Sequence, residues 1–136
     1  MKIFVACSKY FYDKIPNIKK EMEKNGHELN LPNSFEEPMA EEIIKNIGGD
    51  AHIKWKSEMM KKDENNISPN DAILVLNFEK NGIINYIGGA TFLEVYTAWK
   101  LNKKIYFYNP LPECIFKDEL IGINPIILNG DLSKIK

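Results

Sequence analysis

Residues 71–108, DAILVLNFEKNGIINYIGGATFLEVYTAWKLNKKIYFY, decide the fold class of this chain. Two unbroken apolar runs, Ala72–Leu76 and Ile105–Tyr108, flank a segment, Thr91–Leu101, in which apolar residues recur at helical spacing. Unalternating runs of β-branched and aromatic residues are typical of parallel strands that are covered on both faces. A strand, a helix and a second strand in this order predict an α/β arrangement.

The same alternation extends to both ends of the chain. Further strands are predicted at Ile3–Ala6 and Pro125–Leu128, with a weaker one at Glu28–Leu31. Helices are predicted over residues 15–25, 38–47, 51–67 and 115–120, the first two of them ending at glycines. Residues 1–136 are therefore expected to form a single domain, an α/β three-layer sandwich around a mostly parallel five-stranded sheet.

The composition excludes several classes of function. The 136 residues include 18 basic and 19 acidic side chains, and a net charge of −1 gives no basic surface for nucleic acid or an anionic membrane. The start of the chain becomes polar after a few residues, and no apolar run reaches the roughly 18 residues of a spanning helix. With only two cysteines, a reduced cytoplasmic protein is expected. Every basic residue is lysine, so an anion must be bound without the bidentate fork of arginine.

Ligands of open α/β sheets bind at the carboxyl ends of the strands, and polar residues follow the predicted strands there. Asn77 and Asn109 each end a strand and are candidate ligand-binding residues, although asparagine also suits turns. Gly88–Thr91 precedes a helix, where backbone N–H groups and the helix dipole favour an anion, or simply form a glycine turn. Glu94, in the first turn of that helix, is either a capping carboxylate or a nucleophile aimed into a pocket.

Several segments carry a resemblance to a known family, namely Ile3–Ser8, Asp63, Asp71–Asn77, Gly88–Glu94, Ala98 and Lys103–Ile105. In order and spacing they resemble the nucleoside 2-deoxyribosyltransferase-like superfamily, which includes the deoxynucleoside 5′-monophosphate N-glycosidases. The resemblance implies a Rossmann- or flavodoxin-like fold and a homodimer or higher homo-oligomer. It also implies cleavage or transfer at an N-glycosidic bond of a small nucleoside or nucleotide, with no metal and no redox cofactor.

The resemblance assigns roles to individual residues. Glu94 matches the nucleophile that attacks C1′ of the sugar, and Asp63 matches an aspartate that positions the sugar or protonates the base. Tyr10 lies near a position that often packs against the base. A retaining glycosidic cleavage needs a nucleophile and a second acid/base group, which these two carboxylates would supply.

The sequence departs from the transferases in one place. Where those that act on free nucleosides carry an acidic residue, about six positions before the nucleophile, this chain has Gly88. This departure favours a 5′-monophosphate, whose phosphate would accept hydrogen bonds from the backbone of Gly88, Gly89 and Ala90. Ser8 and Lys9 would then add a donor and a charge.

Two other functions remain open from the sequence. The first is a nucleotide-binding or sensing module that shares the fold but has no turnover. The second, an FMN-binding flavodoxin or a phosphoacceptor domain, fits poorly. The first loop, Cys7–Phe11, is not the Ser/Thr-rich phosphate loop of a flavodoxin, and no acidic cluster ends the first strand.

Overall fold

In the computed structural model, which describes residues 1–136, five strands form a single parallel sheet. The strands are β1 (Lys2–Ala6), β2 (Glu28–Asn30), β3 (Ala72–Val75), β4 (Lys104–Phe107) and β5 (Ile126–Ile127). The helices are α1 (Ile15–Lys24), α2 (Ala40–Ile47), α3 (Gly49–Lys61), α4 (Asp63–Ile67), α5 (Gly89–Lys100) and α6 (Lys117–Ile123), with 3₁₀ helices at Lys9–Lys14 and Leu132–Lys134. The strand order is β2-β1-β3-β4-β5, and every neighbouring pair is parallel.

Alternate residues of the strands face two separate cores. Ile3 and Val5 of β1 pack in one core with α1 and the 3₁₀ helices, whereas Phe4 and Ala6 pack in the other with α4, α5 and α6. Since both faces of the sheet are covered, β3 is buried at all four positions. The α/β sandwich and the parallel sheet predicted from the sequence are confirmed.

The predicted helix over residues 51–67 is wrong as a single element. The backbone N–H of Lys62 bonds to the carbonyls of both Glu58 and Met59, which ends α3, and α4 begins at Asp63. Of the apolar residues expected on one packed face, only Ile67 is buried, while Ile53 is 67% exposed. Neither α2 nor α3 buries any residue, because these helices pack mainly on each other rather than on the sheet.

The segment between β3 and α5 contains a short hairpin. Lys80 and Ile83 exchange two backbone hydrogen bonds of 3.0 and 2.9 Å across Asn81 and Gly82. Both turn residues have positive φ, 49° and 84°, which is the geometry that an Asn-Gly pair favours. The backbone N–H of Tyr86 then donates to the carbonyl of Phe78, which closes the base of the hairpin. No helix of the chain is both long enough and apolar enough to cross a membrane.

Candidate active site

A cavity of about 390 Å³ opens at the carboxyl edge of the sheet. It lies where β1 and β3 end side by side, which is the point at which the strand order reverses. Crevices of this kind bind the ligands of open α/β folds. The loop after β1 and the start of α5 form one side of the cavity, and α2, α3 and the Pro32–Ser34 segment form the other.

The structure brings eight of the ten predicted site residues to this cavity. They are Ser8, Lys9, Tyr10, Asp63, Gly88, Gly89, Ala90 and Glu94. They come from three separate parts of the chain, so the fold assembles them from the segments whose order suggested the family.

Asn77 and Asn109, which the sequence predicts to bind a ligand, do not line the cavity. The Asn77 amide nitrogen donates to the carbonyls of Asn109 and Pro110 at 2.9 Å, and its oxygen accepts from the Asn109 N–H at 2.8 Å. The Asn109 amide in turn donates to the Asn77 carbonyl at 3.0 Å. These hydrogen bonds join the end of β3 to the end of β4, so the two amide groups bind the protein itself.

Glu94 and Asp63 interact electrostatically at the cavity. Burial raises the pKa of Glu94 well above its ordinary value, the Asp63 carboxylate raises it further, and Lys56 opposes both effects. Burial also raises the pKa of Asp63 to about 6, again against Lys56. An ionised carboxylate disfavours ionisation of a carboxyl group near it. The Asp63 carboxylate therefore favours the protonated form of Glu94.

Two more polar side chains, those of Cys7 and Tyr12, interact electrostatically with Glu94. Burial raises the pKa of the Cys7 thiol to about 12, and the Glu94 carboxylate adds to this effect. Burial, Cys7 and Glu94 also raise the pKa of the Tyr12 phenol. Both groups consequently stay protonated, and Cys7 is not the reactive thiolate of a nucleophilic cysteine.

The start of α5 faces the cavity without a side-chain cap. Gly88 is its N-cap residue, with no side-chain hydrogen bond to the first turn. A Cβ at Gly88 would lie 3.1 Å from the Tyr86 hydroxyl, so the glycine makes room for this ring. At Gly89 no atom lies within 4 Å of the corresponding point. The first N–H groups of α5 are thus available to a ligand, and the helix dipole favours an anion.

The lysines of the cavity differ in their partners. Lys9 forms an ion pair with Glu42, and Lys56 forms one of 3.3 Å with Glu41. Glu41 also accepts from His52 at 2.8 Å, and Lys45 helps to lower its pKa. The Lys9 side chain is therefore already neutralised by a carboxylate, which the sequence does not indicate.

The α2–α3 side of the cavity is the part that the sequence analysis missed. Its apolar contacts come from Trp55, Met59 and Met60, and its charged groups come from both helices. The only signal was that apolar residues of these helices recur at helical spacing, which usually indicates core packing. Because α2 and α3 stand away from the sheet, some of these residues instead face the cavity.

The protein is thus an α/β sandwich with two carboxylates, Asp63 and Glu94, in a cavity at the point where the strand order of the sheet reverses. No family model matches the sequence, and neither does any curated protein. Among solved structures, the fold is similar to that of the CMP N-glycosidase BcmB of Clostridium botulinum, with a TM-score of 0.54 and 19% sequence identity. The match covers 93% of this chain and 88% of that chain. At this identity the likeness shows a shared fold, and at that level it agrees with the resemblance seen in the sequence.

Proposed function

We propose that this protein cleaves the N-glycosidic bond of a nucleoside or deoxynucleoside 5′-monophosphate, with Glu94 as the nucleophile. The observation that carries the proposal is the electrostatic coupling of Glu94 and Asp63 in a cavity at the reversal point of the sheet. A nucleophile and a general acid are the two groups that a retaining glycosidic cleavage requires. The similar fold of a CMP N-glycosidase supports the same class of reaction.

In the first step, the ionised Glu94 carboxylate attacks C1′ and the bond from C1′ to the base nitrogen breaks. The base leaves with the electron pair of that bond and receives the proton held by Asp63. This step requires Glu94 to be ionised and Asp63 to be protonated, a distribution that the developing positive charge on the sugar favours because it stabilises the Glu94 carboxylate. A Glu94–sugar ester and a free base are the products of this step.

In the second step, a water molecule attacks C1′ and the ester bond to Glu94 breaks. Asp63, now ionised, accepts the proton of the water, and the sugar 5-phosphate is released. If the nitrogen of a second base attacks in place of water, the same intermediate gives base exchange. The two carboxylates serve both outcomes, so the acceptor decides between hydrolysis and transfer.

The cavity offers separate surroundings for the parts of a nucleotide. Trp55 and Met59 provide aromatic and apolar surface for a base. The start of α5, beginning at Gly88 and Gly89, provides N–H groups for a phosphate. Glu94 belongs to the same helix and lines the same cavity.

A nucleotide-binding module without turnover is the second candidate. The raised pKa of Glu94 favours it, because a protonated carboxyl group is not a nucleophile until a ligand changes its surroundings. Such a module would bind the same nucleotides and return them unchanged.

Product analysis separates these functions. The purified protein is incubated with the ribo- and deoxyribonucleoside 5′-monophosphates of the common bases, and with the matching nucleosides, and free base is measured by chromatography. The proposal predicts free base and sugar 5-phosphate from at least one monophosphate. Tight binding by calorimetry with no product would instead establish the binding module, and labelled free base appearing in new nucleotide would establish transfer.

A further inference from the structure

Lys80 and Lys45 are the two lysines of the cavity that form no ion pair, whereas Lys9 and Lys56 each pair with a carboxylate. Lys45 lies near enough to Glu41 to help to lower the pKa of that carboxyl group. The Lys80 ammonium instead lies against two aromatic rings, 4.1 Å from the ring centroid of Tyr10 and 4.6 Å from that of Tyr86. Cation–π contacts hold an ammonium in place without neutralising its charge.

The rings place this charge beside the start of α5. Tyr86 presents its hydroxyl towards Gly88, where an added Cβ would lie 3.1 Å away, and its ring contacts Lys80. The ammonium, the Tyr86 hydroxyl and the first turn of α5 therefore form one continuous side of the cavity. All three supply hydrogen-bond donors or positive charge.

The hairpin fixes the backbone that carries Lys80. Its two hydrogen bonds to Ile83 close a two-residue turn in which Asn81 and Gly82 adopt the left-handed conformation. A lysine on a backbone held in this way loses less conformational entropy on binding a ligand than a lysine on a flexible loop.

We propose that Lys80, held over Tyr10 and Tyr86, recognises the 5′-phosphate of the substrate and sets the preference for nucleotides over nucleosides. This inference rests on the proposed function and replaces Lys9 with Lys80 as the phosphate charge. The Lys80 ammonium can donate charge-assisted hydrogen bonds to a phosphate without the loss of an existing ion pair. Recruiting Lys9 would first separate it from Glu42 and leave that carboxylate without its charge partner.

The test compares Lys80→Met with Lys80→Arg and with Lys14→Met. Lys14 is a matched control, since its ammonium lies 5.0 Å from the ring centroid of Phe78 but does not line the cavity. For each variant, kcat/KM is measured on a monophosphate and on the nucleoside of the same base, and circular dichroism verifies the fold. The inference predicts that Lys80→Met lowers the nucleotide-to-nucleoside ratio of kcat/KM by about 10- to 100-fold, mainly through KM. Lys80→Arg should restore most of the ratio, and Lys14→Met should keep it.

An unchanged ratio in Lys80→Met, or an equal loss on both substrates, would overturn the inference while leaving the cleavage reaction established. If the wild-type protein releases no base from any substrate, the proposed function fails and the inference is decided by binding. Calorimetry with the monophosphate and the nucleoside then serves as the readout. A phosphate-dependent gain in affinity that Lys80→Met abolishes would support Lys80 as the phosphate contact, and a gain that it retains would overturn that role.

Discussion

The protonation of Glu94 depends on the charge of Asp63. Each group is buried enough for its pKa to rise, and the charge of Asp63 raises that of Glu94 further. In the proposed mechanism the pair is active when it holds a single proton, because one carboxyl group then attacks while the other donates. Activity should therefore fall at both ends of the pH range.

Replacing Asp63 with Asn should change the shape of the pH profile as well as its height. Loss of the Asp63 charge lowers the pKa of Glu94, although burial still holds that pKa above its ordinary value. The substitution also removes the group proposed to protonate the base. We expect kcat/KM to fall by about 100-fold or more, and the alkaline limb to disappear because no acid remains to lose its proton, while ionisation of Glu94 still sets an acidic limb. Rates measured from about pH 5 to about pH 9 test this.

Glu64→Gln is the matched control, since Glu64 follows Asp63 in α4 but lies outside the cavity. It should keep the wild-type profile. An unaltered profile in Asp63→Asn would contradict the role of the pair.

Single residues set the limit of what the sequence could predict. Glu94 and Asp63 were identified because their spacing resembles a family, and the fold brings both to one cavity. The state of Lys9 could not be predicted, because its partner Glu42 comes from α2, a distant part of the chain. Asn77 and Asn109 follow strands as expected, yet their amides satisfy the backbone of the neighbouring strand end instead of facing the cavity.

At the scale of elements, the hairpin between β3 and α5 had a local signal. An Asn-Gly pair favours a two-residue turn, and the structure has this turn at Asn81 and Gly82. The sequence patterns of β1, β3, β4 and α5 were equally informative, because these elements lie on or within a buried sheet. The α2–α3 pair was harder to interpret, since its apolar residues face the cavity or solvent rather than a core.

Gly82→Ala tests whether the hairpin positions Lys80. At φ +84° an alanine strains the turn, and we expect a loss of about 1 kcal/mol in the free energy of unfolding. Gly26→Ala is a matched control, because Gly26 has φ +88°, has equally open space around it and lies at the end of α1. Denaturant titrations should give similar losses for both variants, whereas only Gly82→Ala should lower the nucleotide-to-nucleoside ratio of kcat/KM. Equal ratios in the two variants would show that the hairpin does not hold the charge.

At the scale of the whole molecule, the paired carboxylates make folding stability depend on pH. A carboxyl group whose pKa is raised in the folded state favours folding fully below its unfolded pKa. That contribution is lost as pH rises through the folded pKa. For Asp63 this range extends from about 4 to above 6.

The free energy of unfolding of Asp63→Asn should therefore equal that of the wild type near pH 4. Near pH 7.5 it should be higher by on the order of 1 kcal/mol after solvent screening. Urea unfolding at the two pH values measures the difference. Asp131→Asn is a control of opposite sign, because hydrogen bonds from Ser133 lower the pKa of Asp131 and its contribution is lost as pH falls. A wild type that is more stable than Asp63→Asn at the higher pH would contradict the assigned burial.

The resemblance to the deoxyribosyltransferase-like superfamily predicts a homodimer or higher homo-oligomer. Apolar side chains on α2 and α3 are exposed in the single chain, among them Ile43 at 60%, Ile47 at 69% and Ile53 at 67%. Exposed apolar surface of this kind is typical of association sites. Sedimentation velocity should give at least twice the mass of one chain, and Ile43→Ser with Ile47→Ser should reduce it. A wild type that remains monomeric at micromolar concentration would contradict the prediction.

The proposed role of Glu94 as the nucleophile is tested by the rate at which Glu94→Gln releases base. Glutamine keeps the size of the side chain and mimics the protonated form of Glu94, so the variant should fold at least as well as the wild type at neutral pH. We predict that it binds the monophosphate but releases base at least about 1,000-fold more slowly than the wild type. Base release by Glu94→Gln at the wild-type rate would show that Glu94 is not the nucleophile.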